Sequence, residues 1–171
     1  MLLASLVSSL GGLALENIKE VFVSIIPLVV LLPALNDMFG DYGSIVSSRF
    51  STMLHTGKVN SKWWLNMELR KLFAQVLVIA VILAIASALF SFFITGFSSY
   101  SVSLQIALKI LCVVIIDAIL LVSILCITSV VAGIYFFKKK EDPNNFLIPI
   151  ATSIADFGNM MLLSLLVILF F

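Results

Sequence analysis

The chain has 171 residues, of which 62% are hydrophobic and 11% charged, with 10 Lys and Arg against 9 Asp and Glu. Its mean hydropathy is +1.23. An ordinary soluble domain is roughly 45–50% apolar and about 25% charged, so this composition excludes a soluble enzyme and a disordered tail. The formal net charge of +1 offers no electrostatic footprint for a nucleic acid. What remains is an all-α polytopic membrane protein, long enough for about four to six helical spans.

In chain order, residues 1–15 are uncharged and lack the basic start of a signal peptide, so they read as a first, short or tilted span. Residues 21–55 form a second helix that is interrupted near Pro33 and Gly40 and carries Asn36, Asp37 and Asp41. A polar stretch, 56–71, leads to a clean third span at 72–94. After a Ser-rich turn at 95–103, residues 104–137 make a long fourth span holding Asp117. The turn around Lys138–Asn145 ends at the fifth span, 146–171, with Asp156 inside it. Five transmembrane helices in a single membrane domain, 1–171, with no soluble sensor domain, is the expected layout.

Orientation follows from the basic residues. Lys58, Lys62, Arg70, Lys71, Lys138, Lys139 and Lys140 fall in two connections, against Lys19 alone in the opposite ones. The positive-inside rule then places 56–71 and 138–142 in the cytoplasm. The N-terminus is expected to be cytoplasmic and the C-terminus extracytoplasmic, in a cell membrane. Trp63, Trp64, Tyr100 and Tyr135 fall near the expected interfaces. Cys112 and Cys126 lie about 21 Å apart along one helix at ~1.5 Å per residue, too far for a disulfide. His55 is the one histidine, and no zinc-type spacing occurs.

Charges in a bilayer cost roughly 2.5–3.5 kcal/mol each on insertion scales. Four aspartates, Asp37, Asp41, Asp117 and Asp156, sit within or beside the spans, with Arg49 as the one intramembrane basic candidate. Arg49 reads as snorkelling to the cytoplasmic boundary. Pairing within the chain therefore cannot neutralise all four: either some are protonated or a mobile cation compensates them, and the second makes a cation pathway the leading reading. Spacing sharpens this reading. Asp37, Asp41, Ser44, Ser48, Ser51 and His55 recur every three or four residues and form one polar stripe. Asn36, Gly40, Gly43 and Ser47 form an adjacent stripe of mostly small residues, suited to close helix approach. On the last helix, Thr152, Ser153, Asp156 and Asn159 make a second polar stripe. The metal-binding candidates are Asp156, Asp41, Asp37 and Asn36. The pore-lining candidates are Thr152, Ser153, Asn159, Ser44, Ser48 and Gly40, and Asp117 is a secondary candidate.

Oxygen donors without thiolates or an imidazole cluster fit Mg²⁺, Mn²⁺ or Ca²⁺ better than zinc or copper. Mg²⁺ gives up its waters reluctantly and needs few carboxylates around a wide hydrated ion. Two copies of Asp156 facing each other across a two-fold axis would match a divalent charge, so a homodimer is expected. Membrane lipids are the other expected partners, and nucleic acid is not.

Two segments resemble a known family. Pro33–Gly57, PALNDMFGDYGSIVSSRFSTMLHTG, looks like the second-helix signature of MgtE-type magnesium transporters. It is closest to the form in their eukaryotic solute-carrier relatives, where a Pro-Ala stretch leads to Gly-Asn and then Ser-Arg-Leu-Ser-Thr. Asp142–Leu163, DPNNFLIPIATSIADFGNMMLL, looks like the family's last span. The resemblance implies a five-helix membrane domain paired around an axial pore, with Mg²⁺ as cargo. It also implies that Asp156 is the pore aspartate that meets hydrated Mg²⁺. Gly40 and Asp41 align with a Gly-Asn pair, so Asp41 departs from the family residue. The chain looks like a half-length relative of the eukaryotic carriers. A channel is one mechanism; exchange with Na⁺ as coupling ion is the alternative. An intramembrane aspartyl protease, pairing Asp41 with Asp156 or Asp117, is disfavoured. Met38-Phe39-Gly40-Asp41 lacks the first glycine of Gly-x-Gly-Asp, and no Tyr-Asp pair occurs. A scaffold subunit without transport is the third reading, and it predicts that there is no ion flux to lose.

Overall fold

A computed structural model describes residues 2–59, 63–97 and 102–171, with side chains from Ser9 onward. The elements are α1 (Leu2–Glu16), α2 (Lys19–Ser24), α3 (Ile26–His55), α4 (Met67–Phe97), α5 (Leu104–Lys138) and α6 (Pro143–Phe170), with a 3₁₀ turn at Trp63–Leu65. Among the described residues the fold is all helical. By length and composition α4, α5 and α6 can each cross a membrane. Lys62 and residues 98–101 of the Ser-rich turn, Tyr100 among them, lie outside the described residues.

The ends of the long helices are set by local chemistry. Asp142 caps α6, its Oδ1 accepting from the Asn144 amide at 3.0 Å, and Pro143 follows in the first turn, where no N–H is needed. Ser103 caps α5 in the same way, accepting from the Ile106 amide at 3.3 Å. At the end of α3, Gly57 takes φ +69°. Its amide donates to the Leu54 carbonyl at 3.1 Å and the Lys58 amide to the Met53 carbonyl at 3.0 Å, closing the helix in a Schellman turn.

The interruption expected near Pro33 and Gly40 lies instead at Ile25, between α2 and α3, and α3 runs through both residues. Pro27 explains the new position, because it sits in the first turn of α3 and starts the helix there. Pro33 is accommodated inside the helix, and its missing N–H leaves the Val29 carbonyl without its usual helical donor.

The bundle is built around α6, which packs against α1, α3 and α5, while α4 closes the far side against α3 and α5. Small residues set the closest approaches. A Cβ on Gly43 would lie 3.1 Å from the Ala151 Cβ, so α3 and α6 nearly touch. Ala80, Ala84 and Ala88 form the buried edge of α4. Ser91 Oγ donates to the Pro27 carbonyl at 2.7 Å and ties the end of α4 to the start of α3. At the other end of the bundle the Phe136 and Phe146 rings stack at 4.3 Å across the α5–α6 turn.

Gly133 on α5 gives a direct test of this packing. A Cβ there would meet two carbons of the fully buried Phe50 ring at 2.7 and 2.8 Å. Gly133→Ala is therefore expected to destabilise the bundle by about 1–3 kcal/mol through overpacking. The check is a lowered midpoint of thermal unfolding in detergent; an unchanged midpoint would mean that α5 and α3 are not this close.

Candidate functional site

Near the middle of α3 and α6 the two helices part enough to leave an open cavity of about 460 Å³. On the α3 side its wall is made by Pro33, Asn36, Asp37, Gly40, Asp41 and Ser44, about three turns of one face. On the α6 side it is made by Thr152 and Asp156. Asn36 lies ten residues into α3, about 15 Å from its start, so the cavity is at mid-helix and not at a mouth. Three carboxyl groups, from Asp37, Asp41 and Asp156, share this space, and no basic side chain lines it.

Asp156 is held in place by a relay of amides. Asn36 Nδ2 donates to Asp156 Oδ1 at 2.8 Å. The Asn36 Oδ1 in turn accepts from Asn159 Nδ2 at 3.0 Å. Asn159 is fully buried, so the relay is anchored in the protein and ends at the cavity wall. A hydrogen bond to an ionised oxygen is roughly twice as strong as a neutral one. The arrangement therefore holds the Asp156 carboxyl in one position at the cavity wall. The hydroxyls of Thr152 and Ser44 donate back to their own helices, Thr152 Oγ1 to the Ile148 carbonyl at 3.0 Å and Ser44 Oγ to the Gly40 carbonyl at 3.0 Å. Their oxygen lone pairs remain for a ligand.

The other residues of the two stripes fall elsewhere. Ser153 and Asn159 are buried in the bundle, and Ser153 Oγ donates to the Pro149 carbonyl at 2.7 Å. Ser48 lines a second cleft, nearer the end of α3. Ser47, from the small-residue stripe, is buried and shares a 3.1 Å hydrogen bond with Ser129 of α5. Ser51 is fully buried and His55 exposed, with His55 Nε2 3.6 Å from Asp142 Oδ1. Asp117 is fully buried on α5 and does not line the cavity; neither of its oxygens has a hydrogen-bond partner among the described residues. The sequence marks Asn36 and Asn159 as candidates but not that Asn36 joins Asn159 to Asp156. The one available signal was the co-occurrence of amides with acids on the two helices.

Among the described residues no three His, Cys, Asp or Glu side chains come close enough to hold a bare metal ion. The cavity is suited instead to a cation that keeps its water. A set of six waters at about 30 Å³ each occupies roughly 180 Å³, which the cavity accommodates.

An apolar helical bundle with an acidic, base-free cavity at mid-helix is the makeup of a membrane protein that passes cations. The comparisons agree and sharpen it: residues 32–166 match the MgtE family, described as a divalent cation transporter, and the chain belongs to that family. The matched stretch contains every residue that lines the cavity. The chain is also 29% identical over 175 residues to solute carrier family 41 member 2 of Gallus gallus, an alignment covering 96% of this chain and 29% of that relative. The chain thus spans less than a third of the length of the curated relative it matches. No solved structure matches. The family is one of transporters and not of enzymes, which removes the protease reading of the paired aspartates.

Proposed function

We propose that the protein carries Mg²⁺ across the membrane along a pathway lined by α3 and α6 of two copies of the chain. The observation that carries this reading is the acidic cavity between those helices, with Asp156 oriented by Asn36. In the proposed arrangement α1 and α3 also span, making five crossings, with the basic α3–α4 and α5–α6 turns in the cytoplasm. No residue of α5 lines the cavity. Two such cavities meeting on a two-fold axis would bring two Asp156 carboxylates to one hydrated ion and balance its charge. Mg²⁺ suits this better than Ca²⁺, because Ca²⁺ prefers six to eight direct oxygen ligands, and the wall offers carboxylates too spread to supply them.

The test is Mg²⁺ flux into proteoliposomes containing the purified protein, with and without a Na⁺ gradient. Uptake that follows membrane potential and ignores Na⁺ identifies a channel; uptake that requires Na⁺ identifies an exchanger. A rate equal to that of empty vesicles would contradict the reading.

Asp41 tests selectivity. It adds a carboxylate where the family resemblance has Asn, and it is exposed on the cavity wall. Asp41→Asn is expected to keep Mg²⁺ uptake while weakening competition by Mn²⁺ and Ca²⁺, which gain most from an extra direct ligand. The check is uptake measured against each competing ion. Complete loss of Mg²⁺ uptake would instead place Asp41 among the essential groups.

A further inference from the structure

A second cleft lies apart from the acidic one. It holds about 600 Å³ and lies between the second half of α3 and the first turns of α4, at the end of the bundle that carries the basic turns. Its charged lining is Arg49, Lys58, Lys71 and Glu68. Lys58 Nζ sits 3.3 and 3.1 Å from the two Glu68 carboxylate oxygens, so that pair cancels. Arg49 and Lys71 are left without an ion pair among the described residues, two like charges facing one space. Arg49 is six residues before the end of α3, about 9 Å inside the helix terminus. A topology signal alone needs no cleft and no basic group at that depth.

The same cleft continues into an apolar track. Gln75 lines it and also lines a groove of about 310 Å³ along α4, with Ala74, Val78 and Ile79. Val78 and Ile79 are 56% and 49% exposed. Lys71, Gln75 and Ile79 are spaced by four, so they form one ridge that turns from charged to apolar toward the middle of α4. Trp64, 54% exposed, lies on the adjoining turn, where an interfacial aromatic belongs.

A free anion would satisfy the charges and leave the groove empty. A zwitterionic lipid would fill the groove but bring an ammonium toward two cations. We propose that the cleft is a binding site for an anionic phospholipid, with its phosphate between Arg49 and Lys71 and an acyl chain on α4 past Gln75 to Ile79. Basic pockets between membrane helices are suited to such headgroups. The site is independent of the transport reading, because it uses neither the acidic cavity nor a second copy of the chain.

The experiment is native mass spectrometry of the detergent-purified protein titrated with phosphatidylglycerol, and with phosphatidylcholine of the same acyl chains. Phosphatidylglycerol adducts are expected at concentrations where phosphatidylcholine gives none. The double substitution Arg49→Gln/Lys71→Gln should weaken them roughly 30-fold, at about 1 kcal/mol per basic group. Lys71→Arg should keep them, and so should Lys138→Gln/Lys139→Gln on the other basic turn. Equal retention of the two lipids would overturn the proposal, as would equal losses from the two double substitutions. Displacement of the lipid by millimolar inorganic phosphate would also overturn it, reducing the cleft to a site for free phosphate. Both glutamine pairs replace exposed side chains, so monodispersity is expected to match the wild type and a lost adduct reports binding.

Discussion

Asp156→Asn is expected to abolish Mg²⁺ uptake while leaving expression, helix content and monodispersity unchanged. The substitution is nearly isosteric and removes one negative charge from the wall of the acidic cavity. A dication about 5 Å from a carboxylate, at an effective dielectric of about 40 for a wet cavity, gains about 3 kcal/mol, so the loss is roughly a hundredfold. Removing the charge from both copies at once deepens it. Asp156→Glu keeps the charge but moves it by a methylene away from the Asn36 amide, and partial activity is expected. The measurement is initial-rate Mg²⁺ uptake at several concentrations, so that a weakened site shows as lost affinity and an impaired pathway as a lost maximum. Wild-type uptake in Asp156→Asn would remove this residue from the pathway.

The second large effect is expected at Asn36. This side chain lines the cavity and joins Asp156 to the buried Asn159, donating at 2.8 Å and accepting at 3.0 Å. Asn36→Leu keeps the branching at Cγ and breaks both bonds. It leaves the Asn159 amide buried without its acceptor and frees the Asp156 carboxylate to leave its position. Groups that orient a metal-facing ligand cost about 10–100-fold when lost, and that range is expected for Mg²⁺ uptake here. The buried amide adds about 1–3 kcal/mol of destabilisation, which the unfolding midpoint reports. Asn36→Asp separates the two effects. It can still accept from Asn159 but sets a second carboxylate against Asp156, so stability should fall less than uptake. Asn36→Leu with normal uptake would mean that Asp156 needs no orientation.

The long apolar helices were largely legible, because hydropathy over twenty or more residues is a strong signal. The spans expected at 104–137 and 146–171 are helices Leu104–Lys138 and Pro143–Phe170. The helix expected at 72–94 runs from Met67 to Phe97; its first turns carry Glu68, Arg70 and Lys71, polar residues that continue a helix past the apolar stretch. The interruption at Ile25 was not legible. Pro33 and Pro27 look alike in composition, and only their place relative to a helix start decides which one ends a helix and which opens one.

Within the site, the face shared by Asp37, Asp41 and Ser44 followed from helical periodicity. That Thr152 and Asp156 meet this face, while Ser153 and Asn159 turn inward, did not. All four lie within one α6 stripe, and contacts between helices, such as that of Gly43 with Ala151, fix which edge faces α3. The Asn36–Asp156 bond spans 120 residues, beyond any local pattern. The basic cleft was hidden for the same reason: Arg49 and Lys71 come from different helices, and each alone resembles a residue reaching for the interface.

The account stands on a hydrated Mg²⁺ occupying the cavity beside Asp156, and thiol protection measures that occupancy most directly. In a background with Cys112 and Cys126 replaced by alanine, Thr152→Cys places a single thiol on the cavity wall. Millimolar Mg²⁺ is expected to slow its modification by a small methanethiosulfonate reagent several-fold, and to lose that effect when Asp156→Asn is added. A modification rate that Mg²⁺ does not change, with Asp156 intact, would contradict the account.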